Sequence, residues 1–345
     1  MIRSSSTAWS AVVTSPALFS RRTEMQLPGL AEIESAAELV YQSMQASPQL
    51  SWPLLNERLG CEAWIKHENQ NPTGAFKVRG GLIYLNRLVE KQPGISGICA
   101  ATRGNHGQSA AFAAALHGLR VVIVVPEGNS PDKNAAMQAF GAELIVHGKD
   151  FDVALEHARQ LAADQDLHFM PSIDGDLIPG VATYALEFFQ AAPALDRIYV
   201  PIGLGSGVLG VIAAKRALNL DTEIVGVVSA HANTYQLSLA AGEPVGTESA
   251  DTIADGLAVR NASAEALAVI RDHVSRIAAV DDAQVMQAMG CYFADTHNVA
   301  EGAGAASLAA ALQDQDIKGK RVGIVLTGGN VNRALFTKAL SDIVE

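Results

Sequence analysis

Cysteine is scarce in this chain: Cys61, Cys99 and Cys291 are an odd number, and none of their spacings is C-x-x-C. That excludes a disulfide framework and the common zinc and dithiol motifs, and it predicts reduced thiols in a cytoplasmic compartment. Positive charge is also in short supply. With 25 Lys and Arg against 36 Asp and Glu, the formal charge is −11, so there is no basic footprint for nucleic acid or anionic lipid. Long apolar runs are missing as well. The longest stretch, Ser109 to Val125, is broken by His117 and Arg120 and falls short of the roughly 20 residues a membrane span needs. No internal repeat and no low-complexity tract is present. A soluble protein with a small-molecule ligand fits these absences, with no nucleic-acid or membrane partner.

What is there describes a folded globular chain. Its 345 residues are 49% hydrophobic and 18% charged, enough for about two domains at roughly 100–200 residues each. Residues 1–23 carry Arg3, Arg21 and Arg22 and no acid, a composition shared by transit peptides and by sequence upstream of a later start. The segment 1–28 reads as a disordered tail; Met25 is an alternative start, and a helical pattern begins at Ala31. From about residue 60, short β-branched runs alternate with longer alanine-rich stretches, the pattern of parallel strands joined by helical crossovers. The class is therefore α/β. Strands are expected at 63–66, 97–101, 121–125, 143–146, 197–201, 224–228 and 321–326. Helices are expected at 79–91, 106–117, 132–140, 151–164, 179–191, 207–218, 282–294, 303–313 and 332–343. Gly118, Gly141 and Gly290 mark helix ends. The strand-helix units of 97–176 predict a small domain inserted into a larger one made of 29–96 plus 177–345, and 241–261 reads as a long loop.

Four glycine-containing segments stand out: Asn71–Gly80 (NPTGAFKVRG), Ala101–Ser109 (ATRGNHGQS), Pro201–Gly210 (PIGLGSGVLG) and Leu326–Val331 (LTGGNV). Each follows a strand or extended run and precedes a helix, which places helix amino termini and their free N–H groups at the strand ends and implies an anionic ligand. In Gly203–Gly210 the closely spaced glycines suit a phosphate cradle, although a ligand-free turn fits that segment equally well in isolation. A nicotinamide cofactor is disfavoured, because Val228 and Ser229 stand where a dinucleotide site wants an acid. Lys77, flanked by Phe76 and Val78, is a candidate amine of lowered pKa; most lysines are simply solvated, but a phosphate cradle and a reactive amine together are what pyridoxal phosphate requires. Asn105 and His106 open a helix whose N–H groups, with Thr102, suit a carboxylate. Alone, His106 reads as a hydrogen-bonded helix start, and Thr327 as either a ligand-facing hydroxyl or a turn residue.

Taken together, the four segments resemble the fold-type II pyridoxal-phosphate enzymes, most closely the threonine/serine dehydratase and serine racemase family, over about residues 50–335. The resemblance implies two open, twisted, mostly parallel sheets flanked by helices, as in the tryptophan synthase beta-like fold. Lys66 and Glu68 with Pro72–Gly80 look like the segment that binds the cofactor's aldehyde, which makes Lys77 the catalytic lysine and Phe76 its packing partner. Thr102, Arg103, Gly104, Asn105 and His106 correspond to the substrate-carboxylate loop, Asn105 also reaching the cofactor. Gly203, Leu204, Gly205, Ser206 and Gly207 resemble the phosphate loop, and Thr327 the group that meets the pyridine nitrogen. EGAG from Glu301 and DGLA from Asp255 look like further family segments near the site.

Three departures from the family pattern matter. Arg103 stands where racemases carry a small hydroxyl residue, so racemisation is not expected, and its guanidinium suits a second substrate carboxylate or an aromatic ring. The segment Val228–Tyr235 (VSAHANTY) lacks the carboxylates of metal-dependent relatives, so no metal site is expected there. The chain ends about where the catalytic domain does, so feedback regulation by an appended domain is not expected either.

The implied reaction is loss of water from a β-hydroxy-α-amino acid, L-threonine or L-serine, to give a 2-oxo acid and ammonia. Lys77 is the base, and a neutral Thr327 favours elimination over transamination. Phenylserine and 3-hydroxyaspartate are the alternative substrates that Arg103 raises. A non-catalytic small-molecule binder, a nicotinamide oxidoreductase and a synthase of the same fold are competing readings. The family also implies a homodimer.

Overall fold

A computed structural model of the chain describes residues 25–341. Most of the segment expected as a tail, with Arg3, Arg21 and Arg22, lies outside the described residues. Met25 is buried in the same apolar cluster as Ile33 and helix 178–191, so burial places part of that segment. The sequence alternation becomes an alternation of elements. Strands are β1 (Gln49–Ser51), β2 (Glu62–His67), β3 (Gly97–Ala101), β4 (Arg120–Val125), β5 (Glu143–Val146), β6 (His168–Phe169), β7 (Arg197–Pro201), β8 (Glu223–Ser229), β9 (Arg276–Val280) and β10 (Arg321–Leu326). Helices are α1 (Leu30–Val40), α2 (Pro53–Leu59), α3 (Lys77–Lys91), α4 (Asn105–Leu116), α5 (Pro131–Ala139), α6 (Phe151–Asp164) and α7 (Ile178–Ala191). They continue as α8 (Ser206–Ala217), α9 (Thr234–Ala241), α10 (Ala264–His273), α11 (Asp282–Thr296), α12 (Gly302–Gln313) and α13 (Arg333–Ser341).

The strands form two sheets, ordered β1-β2-β10-β7-β8-β9 and β5-β4-β3-β6. Among the described residues, only β1 runs antiparallel to its neighbour; every other strand pair is parallel, as crossover helices require. Central strands β3, β7 and β10 are buried along nearly their whole length, which is why their sequences are continuous apolar runs. The strands with no counterpart in the sequence expectation, β1, β6 and β9, are all sheet edges. An edge strand needs less burial, so its apolar signal is weak. Gly118 and Gly141 take positive φ of 64° and 92°, as helix ends do. Gly290 does not: α11 runs on to Thr296 because Cys291, Tyr292, Asp295 and Thr296 are buried in its next turns, and His297 supplies the left-handed residue with φ 55°. Among the described residues, no helix is long and apolar enough to cross a membrane.

Helix α3 is the element that the site depends on, and two contacts fix it. It lies so close to α7 that a Cβ on Gly180 would stand 2.2 Å from the Arg79 carbonyl oxygen. It is also tied by a buried ion cluster. Arg79 Nε and Nη2 donate to Glu68 at 2.8 and 3.0 Å, while Nη1 and Nη2 donate to Glu187 at 2.6 and 2.9 Å. Lys66 Nζ completes the cluster at 2.5 Å from Glu187 Oε2. Two cations thus face two carboxylates, all buried, with Thr183 Oγ1 accepting a further guanidinium hydrogen at 2.9 Å. Burial pushes the Glu187 carboxyl up, but Arg79 and Lys66 outweigh it and hold it below its ordinary value. Removing one partner strands the others: Arg79→Met is expected to cost about 3–5 kcal/mol, read as a lower urea midpoint. A loss below about 1 kcal/mol would show that the cluster does not anchor α3.

Candidate active site

Strands β2, β10 and β7 are neighbours, so the segments leaving their carboxyl ends meet at one edge of the six-stranded sheet. The turn before α3 is braced by Asn71, whose Oδ1 accepts from the backbone N–H of Thr73 at 3.2 Å and of Ala75 at 3.1 Å. It is stitched to the segment after β10: Phe76 N–H donates to the Thr327 carbonyl and Gly329 N–H to the Gly74 carbonyl, both at 2.9 Å. The segment between β3 and α4 arrives from the other sheet, held by Ser109 Oγ donating to the Lys77 carbonyl at 2.7 Å. The structure therefore brings all four glycine-containing segments together.

Lys77 is the first residue of α3, and its Nζ donates to Ser206 Oγ at 2.9 Å and to the Ser172 carbonyl at 3.3 Å. The Phe76 ring lies 5.4 Å from that nitrogen and packs edge-on against Tyr184. Burial alone pulls the Lys77 amine down to about 8. An amine so lowered is about one-tenth free base at pH 7, far more than an ordinary lysine, and that is the form that attacks an aldehyde or takes a proton.

Ser206 opens α8, and the loop before it curls with Gly205 at φ 112°. Gly203 packs so closely that a Cβ would stand 2.1 Å from the Gly256 carbonyl oxygen. Tyr235 pins the loop through its OH to the Leu204 carbonyl at 2.7 Å. The free N–H groups of the first helical turn converge at this point, the arrangement that holds a phosphate. Cradle and amine lie within reach of one small phosphorylated aldehyde, so the residues present fit pyridoxal phosphate.

In the loop opening α4, Thr102 Oγ1 accepts from Gly104 N–H at 2.9 Å. Asn105 Nδ2 donates to Glu301 Oε1 at 2.6 Å, and its Oδ1 accepts from Asn330 Nδ2 at 2.9 Å. His106 is buried with Nε2 3.3 Å from the Met170 carbonyl; burial first, and the Lys77 charge second, lower its pKa to about 4, so the ring is neutral near pH 7. Thr327 is buried at the end of β10. Arg103 is set apart: its guanidinium is nearly half exposed and lies 3.7 Å from Asp255. Three functional candidates that sequence reasoning did not single out are Lys133, Asn330 and Ser172. Lys133 donates to Asp255 at 2.7 Å, and Asn330 also donates to the Thr73 carbonyl at 2.8 Å. Asn330 lay within a quoted motif, but nothing in the sequence marks Lys133 or Ser172, which reach the site only through tertiary packing.

The family described as "Pyridoxal-phosphate dependent enzyme" matches residues 40–328. The chain is 33% identical over 297 residues to the L-threonine dehydratase biosynthetic IlvA of Pasteurella multocida, covering 85% of this chain and 58% of that protein. It therefore spans less than two thirds of that relative's length. It is 31% identical over 319 residues to the L-threo-3-hydroxyaspartate ammonia-lyase of Saccharomyces cerevisiae, covering 92% of this chain and 98% of that one. Among solved structures, maize serine racemase superposes with a TM-score of 0.85 at 26% identity, covering 92% of this chain and 98% of that one.

Only an unprotonated amine is methylated by formaldehyde and cyanoborohydride. In the cofactor-free protein, mass spectrometry should therefore show Lys77 reacting half-maximally near pH 8, and not near the 10.5 of an ordinary lysine. A titration near 10.5 would show that burial does not tune this amine.

Proposed function

The chain belongs to the pyridoxal-phosphate dependent enzymes, and from that premise we propose that it is an ammonia-lyase. It converts a β-hydroxy-α-amino acid of the L-threonine or L-serine type to a 2-oxo acid and ammonia. The observation that carries this reading is the Lys77 amine, 2.9 Å from Ser206 Oγ in the glycine loop and with no carboxylate partner among the described residues. The relatives named as a threonine dehydratase and a hydroxyaspartate ammonia-lyase support it.

When bound, pyridoxal phosphate supplies an aldehyde for the amino group and a ring that accepts electrons from the substrate's α-carbon. Lys77 Nζ would hold the aldehyde, and its free amine would take the proton from Cα. Gly203, Leu204, Gly205, Ser206 and Gly207 would hold the phosphate with backbone N–H groups and the Ser206 hydroxyl. Thr327 would offer the ring nitrogen a neutral hydroxyl, which would not enforce its protonation as a carboxylate does and so would favour rapid elimination. Thr102, Gly104, Asn105 and His106 bind the substrate carboxylate through the amino terminus of α4, with Arg103 at the rim. His106, neutral and turned to the Met170 carbonyl, shapes this pocket without carrying charge.

Residues 29–96 with 177–345 act as the large cofactor-binding domain and 97–176 as the smaller one, an assignment supported by the four-stranded sheet being built from β3 to β6. A cytoplasmic location accords with the free thiols of Cys61, Cys99 and Cys291. The working assembly is a homodimer, which sedimentation of the holoenzyme tests.

Lys77→Ala should lower 2-oxo acid formation by at least about 10³-fold, since it removes both the aldehyde anchor and the base. Full activity in that variant, or a purified wild-type protein that takes up no pyridoxal phosphate, would overturn the assignment.

A further inference from the structure

Among the described residues, the Lys77 amine meets two acceptors, Ser206 Oγ at 2.9 Å and the Ser172 carbonyl at 3.3 Å. Only the hydroxyl can also give a proton. Ser206 is buried as the first residue of α8, behind Gly205. Its oxygen accepts from the amine, which leaves its own hydrogen over, and that hydrogen has no acceptor among the described residues. Neighbouring hydroxyls are already committed. Ser109 Oγ donates to the Lys77 carbonyl at 2.7 Å, Tyr184 OH to the Gly207 carbonyl at 2.9 Å and Tyr235 OH to the Leu204 carbonyl at 2.7 Å. His106 feels the Lys77 charge but is neutral near pH 7, and the Met170 carbonyl, 3.3 Å from Nε2, claims its ring hydrogen. The free N–H groups in the first turn of α8 place partial positive charge around Ser206 Oγ, which favours the hydroxyl as a proton donor.

We propose that Ser206 is a catalytic residue that passes a proton from Lys77 to the departing β-hydroxyl of the substrate. This rests on the ammonia-lyase reading above. Hydroxide is a poor leaving group near neutrality, so breaking the Cβ–O bond needs a proton at that oxygen. Lys77 serves Cα, and the β-oxygen is only two bonds from that carbon, so a hydroxyl touching the amine is placed to serve the oxygen. Lys77 takes the Cα proton and becomes an ammonium, which donates to Ser206 Oγ. As the Cβ–O bond breaks, the Ser206 hydrogen moves to the leaving oxygen and a Lys77 hydrogen replaces it on Oγ. The electron pair of the Cα–H bond becomes the second bond between Cα and Cβ, and the pair of the Cβ–O bond leaves with water. Nothing is oxidised or reduced, and Lys77 and Ser206 end as free amine and hydroxyl.

The test uses Ser206→Ala, which deletes one oxygen and keeps the backbone N–H groups of the loop. The holoenzyme is assayed with L-serine and with 3-chloro-L-alanine, whose chloride departs without needing a proton. The variant is expected to lose about 10²-fold on serine, in kcat and not in KM, and its serine-to-chloroalanine ratio of kcat should fall by at least about 30-fold. The cofactor-free protein gives a separate readout. Removing the hydroxyl takes an acceptor from the Lys77 ammonium, so the midpoint of Lys77 methylation should move down from about 8 by roughly half a pH unit or more. Equal losses on the two substrates would make Ser206 a phosphate ligand only, with the proton drawn from the phosphate itself, and would overturn the relay. An unchanged midpoint would overturn it too, because the amine would then not depend on the hydroxyl, and this holds even for a variant that takes up no cofactor. If the wild-type holoenzyme forms no 2-oxo acid from any β-hydroxy amino acid, the ammonia-lyase reading falls and the relay with it. Turnover of serine with an unaltered ratio in the variant removes the relay alone.

Discussion

Everything at this site depends on how one helix buries two cations in opposite ways. Lys77 and Arg79 are two residues apart at the start of α3, so their side chains leave on different faces. Arg79 enters the protein between Glu68 and Glu187 and is fully matched in charge. Lys77 enters the cleft, where burial is the sole cause of its lowered pKa. The compensated cation fixes the helix, and the uncompensated one is left reactive. A buried charge with partners contributes position, whereas a buried charge without them contributes chemistry.

The glycine segments serve that arrangement from both sheets. Those after β2, β10 and β7 meet because the three strands are adjacent, and hydrogen bonds between their backbones hold them in register. The fourth comes from the smaller sheet and is locked to the others through Asn105, Glu301 and Asn330. The cleft is thus crossed by two kinds of bridge. One is a buried amide and carboxyl network at its floor, and the other is the Lys133, Asp255 and Arg103 cluster at its rim. The floor network is largely sheltered from solvent and orients groups rigidly. The rim cluster is partly solvated, since Arg103 and Asp255 are both well exposed, and its ion pairs are correspondingly screened.

The fold class and the four glycine-containing segments that meet in the fold were legible in the sequence because they rest on local chemistry. Continuous apolar runs such as β3, β7 and β10 can be read from residue type alone, and glycines between strand and helix mark places where backbone must approach a ligand or another backbone. What could not be read has a common cause. The edge strands β1, β6 and β9 bury too little to leave a clear pattern, and Gly290 looked like a helix end because the burial that carries α11 onward comes from other elements. Lys133 gives no local sign at all: its importance lies in Gly104 and Asp255, residues remote in sequence that the fold sets beside it.

The sequence by itself therefore determined which backbone segments end in glycine-containing turns at helix amino termini and which lysine opens a helix behind an aromatic residue. Those are consequences of backbone sterics and nearest-neighbour apolarity. Only the tertiary structure decided that Lys77 loses its proton more easily than an ordinary lysine and that Arg103 shares a counter-ion with Lys133. Charge energies depend on solvent exclusion and on distances across the fold, and neither is written in the order of residues.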